Sequence, residues 1–224
     1  MLTKIKTAKL LDIRPAKPVR PPVGLLDKMN LGDIFHTDDI RVEYCDDKRR
    51  DIQRVLDSCR EERRPYVIIK NECSAQQSCC SEVQKGLSRI LVPVSMLEEE
   101  VYKAEICTYL ARKTGAHLIL LRARDYGNKA KQNMRRIITH IETIVERTGE
   151  KISYEEQVAK RDSFSFHKDF HSEEWNHDLL LLTASREYGL DDWLFGPPES
   201  YAIRQSQVPV LLVNPREDLF SLCD

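Results

Sequence analysis

RILVPVS (residues 89–95) opens the part of the chain that decides its fold, and VPVLLV (residues 208–213) closes it. Further strand-like runs lie between them at 117–121, 152–158 and 178–183, and helical patterns separate the runs. Short apolar runs that alternate with helical periodicity are typical of βαβ units. The pattern therefore predicts an α/β fold with a mainly parallel five-stranded sheet and helices on both faces.

Helices are predicted between these strands from the spacing of apolar residues. One covers 98–114, where Glu98-Glu99-Glu100 suits the amino end and Gly115 follows the last turn. A longer helix covers 128–148, because its apolar residues recur at helical spacing. A helix or irregular stretch at 163–176 and a loop plus helix at 184–207 complete the connections.

The first 24 residues differ in composition from the rest of the chain. Residues 1–24 are basic and hold four prolines within eight positions, namely Pro15, Pro18, Pro21 and Pro22. Proline at this density prevents a helix and favours extended structure. The segment is predicted to be a linker or a strap on the surface, and a ligand for a proline-recognition domain is the alternative hypothesis.

Residues 25–87 have the pattern of a small α/β extension. Strand patterns occur at 40–45 and 66–69, and a second helix is predicted at 74–87. The helix between the two strands follows Asp46-Asp47, which we expect to cap it. Its apolar residues fall on one face, and these are Ile52, Val55, Leu56 and Cys59.

The order of strand, helix and strand in the extension is similar to the second half of the unit at 89–215. One hypothesis is therefore a degenerate half-repeat, and the other is an unrelated extension packed on the main domain. The main domain is expected to span 88–216, with a tail at 217–224.

Composition excludes several classes of protein. The 224 residues include 35 basic and 36 acidic side chains, so the net charge of −1 gives no reason to expect a nucleic-acid partner. No apolar run reaches the roughly 18 residues of a membrane span, so direct membrane insertion is not expected. Seven cysteines without a bridging pattern favour reduced thiols and a cytoplasmic protein.

The strand and helix patterns together resemble the universal stress protein family over 89–215. The segments that carry the resemblance follow its first strand, the end of its first helix, its fourth strand and its last strand. In this chain they are Arg89 to Val94, Leu110 to Leu118, Asp178 to Arg186 and Val208 to Val213. The resemblance implies a Rossmann-like α/β protein of the stress response, with regulation rather than catalysis as its role.

Nucleotide-binding members of the family carry Gly-x-x-Gly, nine residues and Gly-Ser or Gly-Thr. Glycines let backbone amides approach a phosphate, and the hydroxyl helps to hold the anion. In this chain Ala184 and Glu187 replace the two glycines, and Pro197 replaces the hydroxyl residue. Ser95 stands where the family has an aspartate after the first strand. The changes predict that ATP binding is weak or lost.

Nucleotide-binding residues carried over from the family are candidates at the strand ends and in the altered loop. They are Pro93, Val94, Ser95, Ala184, Ser185, Arg186, Gly189, Gly196 and Ser200. If the loop still holds a phosphate, Arg186 is expected to reach it, and ATP or AMP would be the cofactor. The hypothesis from these residues alone is that no cofactor is bound.

Family members commonly dimerise through their last strand, so the resemblance implies a homodimer. The residues of that predicted edge strand are Val208, Val210, Leu211, Leu212 and Val213. The functional hypothesis is a non-catalytic module that acts through dimerisation or an unknown protein partner. One alternative is a nucleotide-binding stress sensor with an altered phosphate loop, and another is the cytoplasmic regulatory domain of a membrane transporter.

Other side-chain patterns favour structural roles. His167 and His171 would share a helix face, but neither a third metal ligand nor a hydrolytic glutamate accompanies them. Cys73, Cys79 and Cys80 have no zinc spacing. Aromatic residues near these histidines either line a ligand cleft or anchor an irregular segment, and they are Phe164, Phe166, Phe170 and Trp175. No catalytic residue and no metal site are predicted.

Overall fold

The computed structural model describes residues 41–46, 48–62, 65–70, 87–96, 100–101, 103–124, 127–162, 165–171, 173–184 and 198–214. Seven strands within these residues form one sheet. They are β1 (Arg41–Cys45), β2 (Tyr66–Lys70), β3 (Arg89–Val94), β4 (His117–Arg122), β5 (Tyr154–Val158), β6 (Leu179–Thr183) and β7 (Val210–Val213).

The strand order across the sheet is β1-β2-β7-β6-β3-β4-β5. All neighbouring strands are parallel except β2 and β7, which are antiparallel. The predicted α/β class with a mainly parallel sheet is confirmed, and the five strands predicted within 89–213 are present. The sheet has seven strands rather than five because β1 and β2 continue it beyond β7.

Four α-helices connect the described strands. They are α1 (Arg49–Glu61), α2 (Lys103–Thr114), α3 (Lys129–Thr148) and α4 (Pro198–Gln205). The helix predicted at 128–148 is confirmed to within one residue, whereas the helix predicted at 98–114 begins at Lys103 and ends at Thr114 as predicted. Gly115 and Gly149 follow α2 and α3 with φ of 73° and 70°, a left-handed conformation that suits glycine and ends a helix.

The amphipathic prediction for α1 matches its burial. Ile52, Val55, Leu56 and Cys59 are its buried residues, at the spacing of one helix face. Lys48, rather than Asp46, occupies the N-cap position, and the Lys48 side chain makes no capping hydrogen bond. Asp47 lies outside the described residues. Asp46 instead lies 3.5 Å from the Lys48 ammonium as an ion pair.

The segment after β5 is irregular rather than a regular helix. It contains two 3-10 helices, Phe166–Asp169 and Glu173–Trp175. Asp169 holds the segment in place because its carboxylate accepts hydrogen bonds from the Arg161 amide, at 2.9 Å, and from the Arg161 guanidinium. The Trp175 indole donates to the Asp169 carbonyl at 2.9 Å. The buried aromatic rings therefore anchor the segment against one face of the sheet.

The position of β7 overturns one prediction. Residues Val210, Leu211, Leu212 and Val213 were expected at an edge, but β7 lies inside the sheet with a neighbour on each side. Leu180 of β6 pairs with Val210, and Tyr66 of β2 pairs with Leu212. Because β2 takes the hydrogen-bonding edge of β7, a second copy has no free edge to join there. Val208 precedes the strand.

Some predictions fall outside the described residues. These are the proline-rich segment 1–24, the helix at 74–87 apart from its last residue Leu87, the cysteines Cys73, Cys79 and Cys80, the aromatic Phe164, and the tail at 217–224. Across the described residues, no helix combines the length and the apolar character needed to cross a bilayer.

Candidate functional site

The candidate site lies at the carboxyl ends of β3 and β6. After β3 the chain forms β4, which lies next to β3 in the sheet, and later forms β6, which lies next to β3 in the opposite direction. In open parallel sheets such a reversal leaves a crevice at the carboxyl ends of the strands, and ligands bind there. Pairing of Ile90 with Leu179 and of Leu91 with Leu180 brings Val94 and Thr183 to the same edge.

Four polar side chains gather around the end of β3, and we call them the polar cluster: Ser95, Glu100, Lys103 and Asn133. Lys103 is 1% exposed, and its ammonium donates to the Pro93 carbonyl and pairs with the Glu100 carboxylate. Burial of a charge is costly unless it is paired, so Glu100 is what allows Lys103 to lie here.

The other two members of the polar cluster connect it to α3 and to the strand end. The Ser95 hydroxyl donates to the Glu100 carboxylate at 2.7 Å. The Asn133 amide of α3 donates to the Ser95 carbonyl at 3.0 Å. Each of these donors thus has an acceptor within the chain. A nucleotide at this edge would have to compete with those internal acceptors.

The predicted candidate residues divide into three groups. Pro93, Val94 and Ser95 lie together at the end of β3, and Ala184 lies at the neighbouring end of β6. Ala184 is fully buried, and its amide donates to the Val213 carbonyl at 2.9 Å. Ser200 belongs to α4. The loop candidates fall outside the described residues, and they are Ser185, Arg186, Gly189 and Gly196.

Sequence reasoning missed the burial of Glu100 and Lys103. Glu100 was interpreted as one of three acidic residues that favour a helix amino end, and Lys103 was not singled out. The available signal was their spacing of three positions, at which oppositely charged side chains meet on a helix. That spacing indicates a pair, but burial depends on the strand end beneath it.

Histidines gather on the side of the sheet that carries the 3-10 helices. The rings of His167 and Tyr201 lie 4.8 Å apart, and those of His171 and Tyr201 lie 6.4 Å apart. Burial, Lys70 and His167 together lower the pKa of His171 to about 4. In the part of the chain that the structure describes, no three metal-binding side chains come close enough together to hold an ion.

A serine and a histidine lie in contact at the amino ends of the strands, away from the candidate site. The His117 ring Nδ1 lies 2.7 Å from the Ser153 hydroxyl, and its Nε2 lies 3.5 Å from the Glu155 carboxylate. Arg89 also pairs with Glu155 at 3.3 Å. A serine nucleophile requires a shielded base and donors for the oxyanion, whereas this contact is exposed. The arrangement links the beginnings of β3, β4 and β5.

Comparison with known proteins identifies the fold. The model of the universal stress protein family matches residues 86–214. A universal stress protein from Archaeoglobus fulgidus DSM 4304 superposes with a TM-score of 0.57 at 15% identity, over 87% of this chain and 66% of that one. This chain therefore spans just under two thirds of the length of that relative.

Two further solved structures are similar at lower scores. A putative universal stress protein from Pseudomonas aeruginosa UCBPP-PA14 has a TM-score of 0.48 and 13% identity, over 81% of this chain and 64% of that one. A universal stress protein in complex with cAMP has a TM-score of 0.45 and 16% identity, over 58% of this chain and 98% of that one. No curated protein matches the chain.

Proposed function

The chain belongs to the universal stress protein family, and from that premise we propose that it is a non-catalytic regulatory module. It acts by binding a partner protein, and its ATP binding is weak or lost. The observation that carries this proposal is the polar cluster at the end of β3. There, Lys103 is directed at the Pro93 carbonyl and at Glu100 rather than at an open crevice.

The chemistry of phosphate binding supports the loss of affinity. A phosphate is held by free backbone amides, hydroxyl groups and positive charge. Glu187 adds a negative charge where the family has glycine, and Pro197 has no amide hydrogen to donate. In the polar cluster, the positive charge of Lys103 is balanced by Glu100. Together with Ser95, which stands where the family has an aspartate, the loop substitutions support weak or lost nucleotide binding.

A cytoplasmic location is part of the same proposal. Cys45, Cys59 and Cys107 are buried free thiols. Burial raises the pKa of Cys59 and of Cys107 to about 12, which keeps both thiols protonated and unreactive at neutral pH. Reduced, unreactive thiols suit a cytoplasmic protein.

Calorimetric titration tests the proposal directly. Purified protein is titrated with ATP and magnesium, and separately with AMP and cyclic AMP. We expect no measurable heat, or a dissociation constant of about 1 mM or weaker, which corresponds to roughly 4 kcal/mol of binding free energy. Micromolar binding of any of the three would overturn the proposal and favour the nucleotide sensor.

A matched variant shows whether the loop or the polar cluster limits binding. The triple substitution Ala184→Gly, Glu187→Gly and Pro197→Ser restores the glycines and the hydroxyl of the family's loop. If the loop is the limit, the triple variant should bind ATP at least tenfold more tightly than the natural chain. If the natural chain already binds nucleotide, the substitutions should barely change its affinity, and the proposed loss of binding is wrong.

A further inference from the structure

Two β–α–β units of the same architecture meet at the antiparallel pairing of β2 with β7. The first unit (residues 41–70) consists of β1, α1 and β2. The second unit (residues 179–214) consists of β6, α4 and β7. In each unit the two strands are parallel and adjacent in the sheet. We call the pairing between β2 and β7 the seam.

The residue pairs of the seam are arranged symmetrically about a two-fold axis. Val67 pairs with Leu211 at its centre, Tyr66 pairs with Leu212, and Ile68 pairs with Val210. Rotation about the central pair therefore exchanges β2 with β7 and brings Tyr66 onto Val210. Corresponding residues also face the same side of the sheet, because Val67 and Leu211 share one core cluster while Tyr66 and Val210 share the other.

The connections of the two units correspond as well. Pro65 directly precedes β2, and Pro209 directly precedes β7. The Arg41 amide donates to the Pro65 carbonyl at 3.1 Å, and the Leu180 amide donates to the Pro209 carbonyl at the same distance. One residue beyond each helix, a backbone amide closes the last turn.

These closing hydrogen bonds are from Glu62 to the Ser58 carbonyl at 2.9 Å and from Ser206 to the Ala202 carbonyl at 3.0 Å. Each helix also ends the same number of positions before its proline. Sequence similarity between the units is confined to this apolar strand after a proline, so the correspondence is one of backbone geometry.

Each unit caps the helix of the other across the seam. The side-chain amide of Asn214, just after β7, donates to the carbonyls of Cys59 at 2.6 Å and Glu62 at 2.9 Å at the end of α1. Lys70, at the corresponding position of β2, donates to the Arg204 carbonyl of α4 at 2.5 Å. The last carbonyls of a helix lack partners within it, so both contacts satisfy groups that the helix leaves open.

From the register, the matched connections and the crossed caps, we propose that the first unit is a repeat of the second unit, and so a half-repeat of the domain at 89–214. Within one chain, it takes the position that a second copy of this chain would occupy at β7. The seam is thus a two-fold interface built from a single chain, and any self-association uses another surface. This inference concerns assembly and is independent of whether the chain binds a nucleotide.

Cysteine substitution at the centre of the two-fold tests the proposal in the full chain. Directly paired residues of antiparallel strands have Cα atoms about 4.5–5.5 Å apart, which a disulfide can span. Under oxidation, the Val67→Cys/Leu211→Cys variant should form its bond within one chain and migrate as a monomer without reductant. The Leu211→Cys variant alone should give no covalent dimer, because no second β7 lies beside it.

Controls separate this bond from the seven native cysteines. The unsubstituted protein and a Leu120→Cys variant, buried in β4 away from the seam, are oxidised in parallel, and crosslinked peptides are identified by mass spectrometry. A Leu211-to-Leu211 covalent dimer above these controls would overturn the proposal. So would a bond between residues 67 and 211 of two different chains, which indicates that the first unit is exchanged between copies.

Hydrogen exchange of the unsubstituted protein gives a second test that no substitution can disturb. If β2 and β7 pair within one chain, the amides of Val210–Val213 stay protected at every protein concentration. If β7 instead pairs with a second copy, their protection falls on dilution as the copies separate, which would overturn the proposal. Light scattering on the same samples gives the mass at each concentration, so that any fall in protection can be compared with the separation of copies.

Discussion

The first and second units share a backbone plan but differ in what surrounds their outer strands. β6 lies between β7 and β3, and four of its five residues are buried. β1 corresponds to it in the first unit but has a described neighbour on one side alone, and four of its five residues are partly exposed. β6 accordingly reads LLLLT, whereas β1 reads RVEYC.

The difference teaches that the number of neighbours, rather than the strand–helix–strand plan, sets the composition of a strand. A central strand covered on both faces becomes continuously apolar, and a strand at the side of a sheet tolerates alternating charges. Arg41 and Leu180 occupy corresponding positions, yet the Arg41 side chain is 40% exposed and Leu180 is fully buried. The following substitutions test how far this correspondence extends.

Substitutions at Arg41 and Leu180 should include the largest change in stability, and the two positions should differ strongly in their effect. Leu180→Arg places an unpaired charge in the sheet interior and should cost more than about 4 kcal/mol, enough to unfold the chain. Arg41→Leu removes half-exposed ion pairs with Glu43 and Glu62 and should change stability by about 1 kcal/mol or less. Circular dichroism and urea unfolding measure both, and equal effects would contradict the comparison.

Truncating the helix cores tests whether the two units unfold as one. Leu56 of α1 and Ile203 of α4 are both fully buried, so each substitution by alanine should cost about 2–5 kcal/mol. Both tryptophans, Trp175 and Trp193, lie outside the first unit. If the seam couples the units, Leu56→Ala should lower the unfolding midpoint seen by tryptophan fluorescence as well as by circular dichroism.

The exposed Arg54→Ala on the same helix serves as the control and should change stability by less than about 0.5 kcal/mol. A fluorescence midpoint that stays constant in Leu56→Ala, while the circular dichroism changes, would mean that the first unit unfolds by itself. The same result would weaken the case for a seam that holds the units together.

Removing the side chains of Asn214 and Lys70, which cap the helices across the seam, should destabilise the protein by unequal amounts. Asn214 is 2% exposed and serves two close carbonyls of α1, so Asn214→Ala should cost about 1–3 kcal/mol by leaving buried acceptors unpaired. Lys70 makes its contact in an exposed position, so Lys70→Ala should cost less than about 0.5 kcal/mol. Thermal or urea unfolding tests the order, and a larger loss for Lys70→Ala would reverse it.

Acid should act next to the second unit rather than within either unit. His177 lies two residues before β6, whereas neither residues 41–70 nor residues 179–214 contain a histidine. Burial first, then His171 and Arg89, lower the pKa of His177 to about 4 against the opposing effect of Asp178. Between pH 6.5 and 4 the unfolded chain therefore binds more protons at this residue than the folded chain does, so stability decreases as the pH falls through that window.

Measured at pH 7 and pH 5, His177→Gln should lose less stability on acidification than the natural chain, by about 1 kcal/mol. His140, which is half-buried on α3, is the matched control. The variant His140→Gln should keep more of the stability loss on acidification, because burial lowers the pKa of His140 less than that of His177. An identical pH dependence of the His177→Gln variant and the natural chain would show that His177 does not titrate in this way.

Local patterns predicted most elements of the fold. The strands β2, β3, β4, β6 and β7 were identified because buried strands are short and apolar, and β1 was identified because its apolar and polar residues alternate. The helix α1 was identified because its apolar residues recur at helical spacing. The seam was not predicted. Pairing between Val67 and Leu211 joins residues that are remote in sequence, and the apolar pattern of β7 is the same whether its neighbour is a second copy or β2.

The candidate site could be predicted in part for a similar reason. Residues of one strand end, such as Pro93 and Ser95, were identified because a motif places them. The partners that fill the site come from α2 and α3, and Lys103 looks like an ordinary surface charge until the strand end beneath it is known. Long-range packing, rather than residue type, makes it part of the polar cluster.

The separation of the two seam strands along the chain affects how the protein is made. During translation the apolar strand β2 emerges well before β7, and at 5–20 residues per second the interval is roughly 10–30 s. Until β7 follows, the edge of Tyr66–Ile69 lies open to pairing with other nascent chains. Synthesis of this chain therefore includes a period in which β2 lacks its β7 partner, and we expect the yield of folded protein to depend on chaperone supply more than its final stability does.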